Sequence, residues 1–116
     1  MTIYALSSGP GISGIAVTRV SGNKAKDILK SIINGKFPDE RVATLKKIIN
    51  PRTNELIDEG IVIWFKGPNS YTGEDMIEFH THGSKAVVNK LQNILEQFDG
   101  CRIAEAGEFT KLAFQN

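Results

Sequence analysis

The most constraining feature of this chain is a strand-like run that follows a turn. Residues 67–75 are rich in glycine, proline and asparagine, as turns are, and Met76–His82 then alternates in side-chain character. Because side chains alternate between the two sides of a strand, a carboxylate and two imidazoles share one face: Glu78, His80 and His82. That face is either solvated or the wall of a polar site.

The rest of the pattern predicts an α+β domain. Helices are expected after Ser21 and Ser84, each a candidate N-cap, and a third begins near Gly107. The predicted strands are residues 3–7, 14–20, 42–49, 56–65, 76–82 and 101–104. Adjacent strands with few helices between them favour a mixed, mostly antiparallel sheet with two main helices packed on it plus a truncated third. The second strand is apolar on both sides and is predicted to be an inner one.

Length and charge limit the functions to consider. A chain of 116 residues fits one domain, residues 1–116, with one core. The net charge of +1 gives no basic stripe for gripping nucleic acid. Cys101 is the single cysteine, and neither an export signal nor an apolar span is present. We therefore expect a cytoplasmic domain without membrane contact.

The first connection carries glycines that could suggest a phosphate loop. Gly9, Gly11 and Gly14 lie between two predicted strands, and no Gly-Lys-Ser/Thr run follows them. A tight strand connection explains them better. No nucleotide site is predicted here.

Arg19 and Glu78 each have a structural and a functional interpretation. Arg19 lies near the end of an inner strand, where its charge needs either one of the chain's own carboxylates or an anionic ligand. Glu78 is either a solvated strand carboxylate or the acceptor of two parallel hydrogen bonds from a flat heterocycle, such as the edge of a pterin. Both alternatives remain open from the residues alone.

The other titratable residues give weaker signals. His80 and His82 could bind a metal, but zinc needs further ligands and Cys101 has no partner thiol, so hydrogen bonding is the better interpretation. Glu74 and Asp75 could act as acid and base, but adjacent residues on extended backbone point apart, which favours loop solvation or capping. No nucleophile, base and orienting group occur together, and we predict neither catalytic residues nor a metal site.

Four blocks of sequence resemble the N-terminal domain of the MnmE (TrmE) family of tRNA-modifying GTPases. They are Gly9-Pro10-Gly11 through Gly22, Asp58-Glu59-Gly60-Ile61-Val62, Pro68 to Asp75 with His82-Gly83, and Gly107-Glu108-Phe109-Thr110 with Ala113-Phe114. Their spacing covers nearly the whole chain. Three positions depart from the family pattern and affect local turn shape: Ser84, Ala106 and Gln115.

The resemblance implies a folate-binding, homodimerising domain that is part of a longer protein. The implied fold resembles half of the folate-binding domain of the glycine-cleavage aminomethyltransferase. The implied ligand is 5-formyl-tetrahydrofolate or a related reduced folate, contacted by Arg19 and Glu78 and serving as one-carbon donor for modifying a wobble uridine. The implied partners are tRNA, a second copy and the flavin-dependent protein MnmG (GidA).

GTP hydrolysis, with its magnesium and potassium, belongs in this family to a separate domain, so these residues alone are not expected to hydrolyse GTP. A different class of function also fits the residues. The amphipathic helices could make the chain a dimerisation and docking module with no ligand of its own.

Overall fold

A computed structural model describes residues 1–7 and 14–116 of the chain. The elements in this part are β1 Thr2–Leu6, β2 Ile15–Ser21, α1 Ala25–Ile32, β3 Thr44–Ile49, β4 Leu56–Phe65, β5 Met76–His82, α2 Lys85–Glu96, β6 Cys101–Ile103 and α3 Glu108–Gln115. Their order is the predicted one, and the α+β class is confirmed.

The strands form one mixed sheet in the order β3-β4-β5-β2-β1-β6. Every neighbouring pair is antiparallel except β1 and β6, which run parallel. β2 lies between β1 and β5, so its prediction as an inner strand is confirmed. The β2–β5 register places Arg19 directly opposite Glu78 and Val17 opposite His80.

The helices α1 and α2 cover one face of the sheet. Ile28 and Leu29 of α1, Leu91 and Leu95 of α2 and Phe79 of β5 are all fully buried in this layer. Burial of one such side chain stabilises the fold by about 1.5–3 kcal/mol, and the helical and strand periodicities together supply a continuous core. The other face, which carries Arg19, Glu78 and His80, is called the open face below, since α1 and α2 leave it uncovered.

The two predicted helix N-caps have different outcomes. Ser84 caps α2 as expected, because its hydroxyl accepts a hydrogen bond from the Val87 N–H at 3.3 Å. The prediction that Ser21 caps α1 is wrong. It belongs to β2, and α1 starts after Lys24 without a side-chain cap. The Ser21 hydroxyl is held instead by Thr72, 2.7 Å away, in the turn before β5.

Several element ends differ from the prediction by a few residues. β3 starts at Thr44, two residues late, because the Val42 N–H bonds to the Asp39 carbonyl in a preceding turn. α2 ends at Glu96, before the expected Asp99-Gly100 stop. The hairpin between β3 and β4 is confirmed.

Candidate functional site

Arg19, Glu78 and His80 form a connected polar group on the open face. The Arg19 Nε–H donates to Glu78 Oε2 at 3.0 Å, and His80 Nε2 lies 3.0 Å from Glu78 Oε1. The antiparallel register of β2 and β5 creates this contact, since it brings residues 59 positions apart side by side. The Glu78 side chain is 14% exposed and Arg19 is 31% exposed. Both carboxylate oxygens of Glu78 therefore have a partner.

This ion pair is the structural alternative for Arg19, an interaction with one of the chain's own carboxylates. It does not use up the hydrogen-bonding capacity of Glu78, because two carboxylate oxygens together offer about four acceptor sites. A ligand at this carboxylate would share it with Arg19 or displace that side chain. Ligand contact by Arg19 and Glu78 stays a prediction.

Tyr71 adds an aromatic surface beside Arg19. Arg19 Cζ lies 5.4 Å from the centroid of the Tyr71 ring, within the range of a cation–π contact. The ring belongs to the turn before β5 and is half exposed. No role for Tyr71 is predicted from the sequence, although it lies within the family-like block from Pro68 to Asp75.

A cavity of about 350 Å³ opens next to Arg19 and Tyr71. Its walls include the end of β1 at Leu6 and Ser7 and the start of α3 at Gly107 to Thr110. Glu78 does not itself line this cavity, so Arg19 stands between the carboxylate and the open space. A flat ring of modest size fits such a volume, with Tyr71 available for stacking.

The pair Arg102 and Glu108 joins the start of α3, which forms one wall of the cavity, to β6. Arg102 Nη1 and Nη2 donate to the two carboxylate oxygens of Glu108 at 2.8 and 2.6 Å, and the Glu105 N–H donates to the same carboxylate at 2.9 Å. The hydrogen bonds from Arg102, followed by that from Glu105, lower the pKa of Glu108 to about 2. Neither residue was predicted as a site residue, although Glu108 lies in a quoted block.

His80 and His82 point to different partners. His82 Nδ1 lies 2.9 Å from Asp58 Oδ1, and the His82 backbone N–H donates to Asp58 Oδ2 at 2.8 Å. Burial acts to raise the pKa of Asp58, but the hydrogen bonds from His82 outweigh it and the net pKa is lowered. Within residues 1–7 and 14–116, no group of three or more His, Cys, Asp or Glu side chains could hold a metal ion.

The remaining candidates have local roles or lie elsewhere. Glu74 Oε1 accepts from the Ser21 hydroxyl at 2.8 Å, and Asp75 Oδ1 accepts from the Gly67 N–H at 2.9 Å. Both carboxylates thus stabilise the turn before β5, as expected. Gly9 and Gly11 fall outside the described residues. In the described part of the chain, no helix is long and apolar enough to cross a membrane.

Comparison with known proteins gives a consistent result. Residues 2–116 match the family model described as "GTP-binding protein TrmE N-terminus". The chain is 62% identical over its whole length to the "tRNA modification GTPase MnmE" of Pelagibacter ubique, covering 26% of that protein. It is 52% identical over 99% of its length to MnmE of Brucella anthropi, of which it covers 26%.

A eukaryotic protein is also similar. The chain is 47% identical, over 99% of its length, to the "tRNA modification GTPase gtpbp3, mitochondrial" of Dictyostelium discoideum and covers 24% of it. It thus spans about a quarter of the length of these relatives. With a family model matched from its second residue to its last, the chain belongs to the TrmE N-terminus family.

Proposed function

We propose that this chain is a reduced-folate-binding and homodimerising domain of a tRNA-modifying GTPase, with 5-formyl-tetrahydrofolate or a close relative as its ligand. The observation that carries the proposal is the placement of Arg19, which lies on the wall of the 350 Å³ cavity and holds the Glu78 carboxylate behind it. Family membership supports the same interpretation.

The chemistry of a pterin suits these side chains. Its aminopyrimidinone edge presents adjacent N–H donors, which a carboxylate such as Glu78 accepts in parallel. The Arg19 Nε–H donates to one of those oxygens, Glu78 Oε2, at 3.0 Å. A pterin therefore shares the carboxylate with Arg19 or moves the guanidinium aside, where it serves as a positioning cation.

The wider activity extends beyond this chain. The relatives from Pelagibacter and Dictyostelium are named as tRNA modification GTPases, and this chain covers about a quarter of each. We place it in a cytoplasmic GTPase that acts on the wobble uridine of tRNA, with the folate as one-carbon donor and MnmG (GidA) as partner. GTP, magnesium and potassium are assigned to other domains of that protein.

Calorimetry tests the proposal directly. We expect saturable binding of 5-formyl-tetrahydrofolate, and Glu78→Ala should weaken it by at least about 1.5 kcal/mol, the scale of a hydrogen bond to a charged group. Glu55→Ala is the matched control, because Glu55 pairs with Lys90 in an exposed contact away from the cavity. Absence of binding by a chain shown to be dimeric would contradict the proposal.

One observation favours a second candidate function. Arg19 and Glu78 satisfy each other, so neither requires a ligand for its charge to be paired. The chain would then be a dimerisation and docking module without a ligand of its own. Thermal unfolding distinguishes the two, because a ligand that binds only the folded state raises the midpoint. A midpoint that rises with folate concentration excludes the docking-only function, and an unchanged midpoint supports it.

A further inference from the structure

A second and larger cavity lies on the other side of Tyr71. It has a volume of about 630 Å³ and is lined by Arg41, Phe65, Pro68, Asn69, Ser70 and Tyr71. Tyr71 also lines the 350 Å³ cavity beside Arg19, so one aromatic ring separates two openings. The two cavities therefore adjoin at Tyr71.

Arg41 supplies the charge of this second cavity. No acidic side chain lines it, and within the described residues Arg41 takes part in no ion pair, unlike Arg19 and Arg102. Arg41 Nη1 donates to the Asn69 carbonyl at 3.1 Å, and Arg41 Cζ lies 5.6 Å from the centroid of the Phe65 ring. The cavity thus presents a positive charge that the protein's own carboxylates leave available.

The backbone of Arg41 is also fixed in an unusual conformation. Its φ is 64°, in the left-handed region that a residue with a Cβ seldom adopts, and its N–H donates to the Trp64 carbonyl at 2.7 Å. Side chain and backbone are thus anchored to β4 and to the turn before β5. A guanidinium positioned in advance loses less entropy when it forms two parallel bonds to a carboxylate.

We propose that the 630 Å³ cavity is the subsite for the anionic tail of the ligand, the γ-linked glutamates beyond the first, with Arg41 binding a carboxylate of one of them. This inference rests on the proposed function, because the ring of the same folate would occupy the cavity beside Arg19. The expected ligand is then longer than the monoglutamate, and Arg41 is a ligand-binding residue in addition to Arg19 and Glu78.

Calorimetry with two ligands tests the subsite. 5-Formyl-tetrahydrofolate with one glutamate and with three glutamates is titrated into the wild-type chain, Arg41→Gln and Arg52→Gln. Arg52 is the matched control, since it has the same charge but lies in the turn at the opposite end of β3 from Arg41. Circular dichroism confirms that each variant is folded.

We expect the wild type to bind the triglutamate at least about 10-fold more tightly, the effect of one added charge-assisted hydrogen bond. Arg41→Gln should remove that preference, whereas Arg52→Gln should keep it. Added salt should reduce the preference in the wild type, since Arg41 is exposed. Equal affinities for the two ligands, or a preference that survives Arg41→Gln, would overturn the inference and leave the proposed function in place. Failure of both ligands to bind would overturn both.

Discussion

At the scale of single residues, the open face depends on how strongly Arg19 and Glu78 interact. The pair is partly buried, with Glu78 14% exposed, and Arg19 has the Tyr71 ring on its other side. A partly buried pair is less screened by water than a surface pair. A folate that displaces Arg19 must overcome this interaction, so its strength limits affinity.

A double-mutant cycle measures that strength. Arg19→Ala, Glu78→Ala and the double variant should give a coupling of about 1 kcal/mol in the free energy of urea unfolding. The same cycle on Lys90 and Glu55, whose side chains are 51% and 50% exposed, should give less than about 0.5 kcal/mol. Equal couplings for the two pairs would show that partial burial contributes nothing at Arg19.

Individual residues also differ in how well their roles could be predicted from the sequence. Strand position and charge drew attention to Arg19 and Glu78 but left their roles open, and the folate contact was implied by the family resemblance. The structure places both on one face of the sheet. Their pairing depends on the register of β2 against β5, which no local pattern specifies. Tyr71 and Arg41 were missed for the same reason, because their contacts are with residues distant in the chain. Glu108 was missed although its partner Arg102 is only six residues away, because that contact depends on how α3 is placed against β6.

At the scale of elements, β4 and β5 approach each other closely at Gly60. A Cβ on this residue would overlap the backbone carbonyl oxygen of His80. Gly60→Ala should therefore lower the free energy of unfolding by at least about 2 kcal/mol, since backbone cannot move aside as a side chain can. Glu59→Ala, at an exposed position of the same strand, should change it by less than about 0.5 kcal/mol. Urea unfolding of both variants checks the contrast.

The contact between β6 and α3 should make the free energy of unfolding depend on pH in the acidic range. Arg102, and secondly the Glu105 N–H, lower the pKa of Glu108 from 4.5 to about 2. A carboxyl with a lowered pKa stabilises the fold above its ordinary pKa, and this contribution is lost as the pH falls from 4.5 towards 2. Because α3 has no buried residues, the contribution should be modest, below about 1 kcal/mol.

The variant Glu108→Gln tests this dependence. Urea unfolding should show it less stable than wild type at pH 6.5, and the difference should shrink as the pH is lowered below about 4.5. Glu55→Gln, in an exposed pair, should show little difference at either pH. A Glu108 effect that is constant with pH would mean that the carboxylate charge does not stabilise the β6–α3 contact.

The order and type of all the described elements were predictable because hydrophobic periodicity marks them. The residues at which the helices and strands begin and end were less predictable. Ser21 is a good cap by type, but its hydroxyl bonds to Thr72 and Glu74, and α1 starts four residues later. Ser84 has no competing partner in the described structure beyond the N–H it caps, and there the local rule holds.

At the scale of the whole molecule, the sheet has one face under α1 and α2 and one left open. Cross-strand pairing places Leu45, Ile61, His80 and Val17 in one row across that open face, and Leu45 is 60% exposed. Three of these four residues are apolar, and a partly exposed apolar row beside a polar site is typical of surfaces that a partner covers. The homodimer proposed above would bury this row if the two open faces meet.

A charged residue introduced into that row should prevent dimerisation without unfolding the chain. Leu45→Asp should shift the chain from dimer to monomer in light scattering, because a carboxylate without a partner would be buried in the interface. Its thermal midpoint at low concentration should change little, since Leu45 contributes little to the monomer core. Ile103→Asp is the control, as Ile103 is 58% exposed but pairs with Tyr4 in the row of the covered face. A Leu45→Asp chain that stays dimeric would place the contact elsewhere, such as at the edge strand β6.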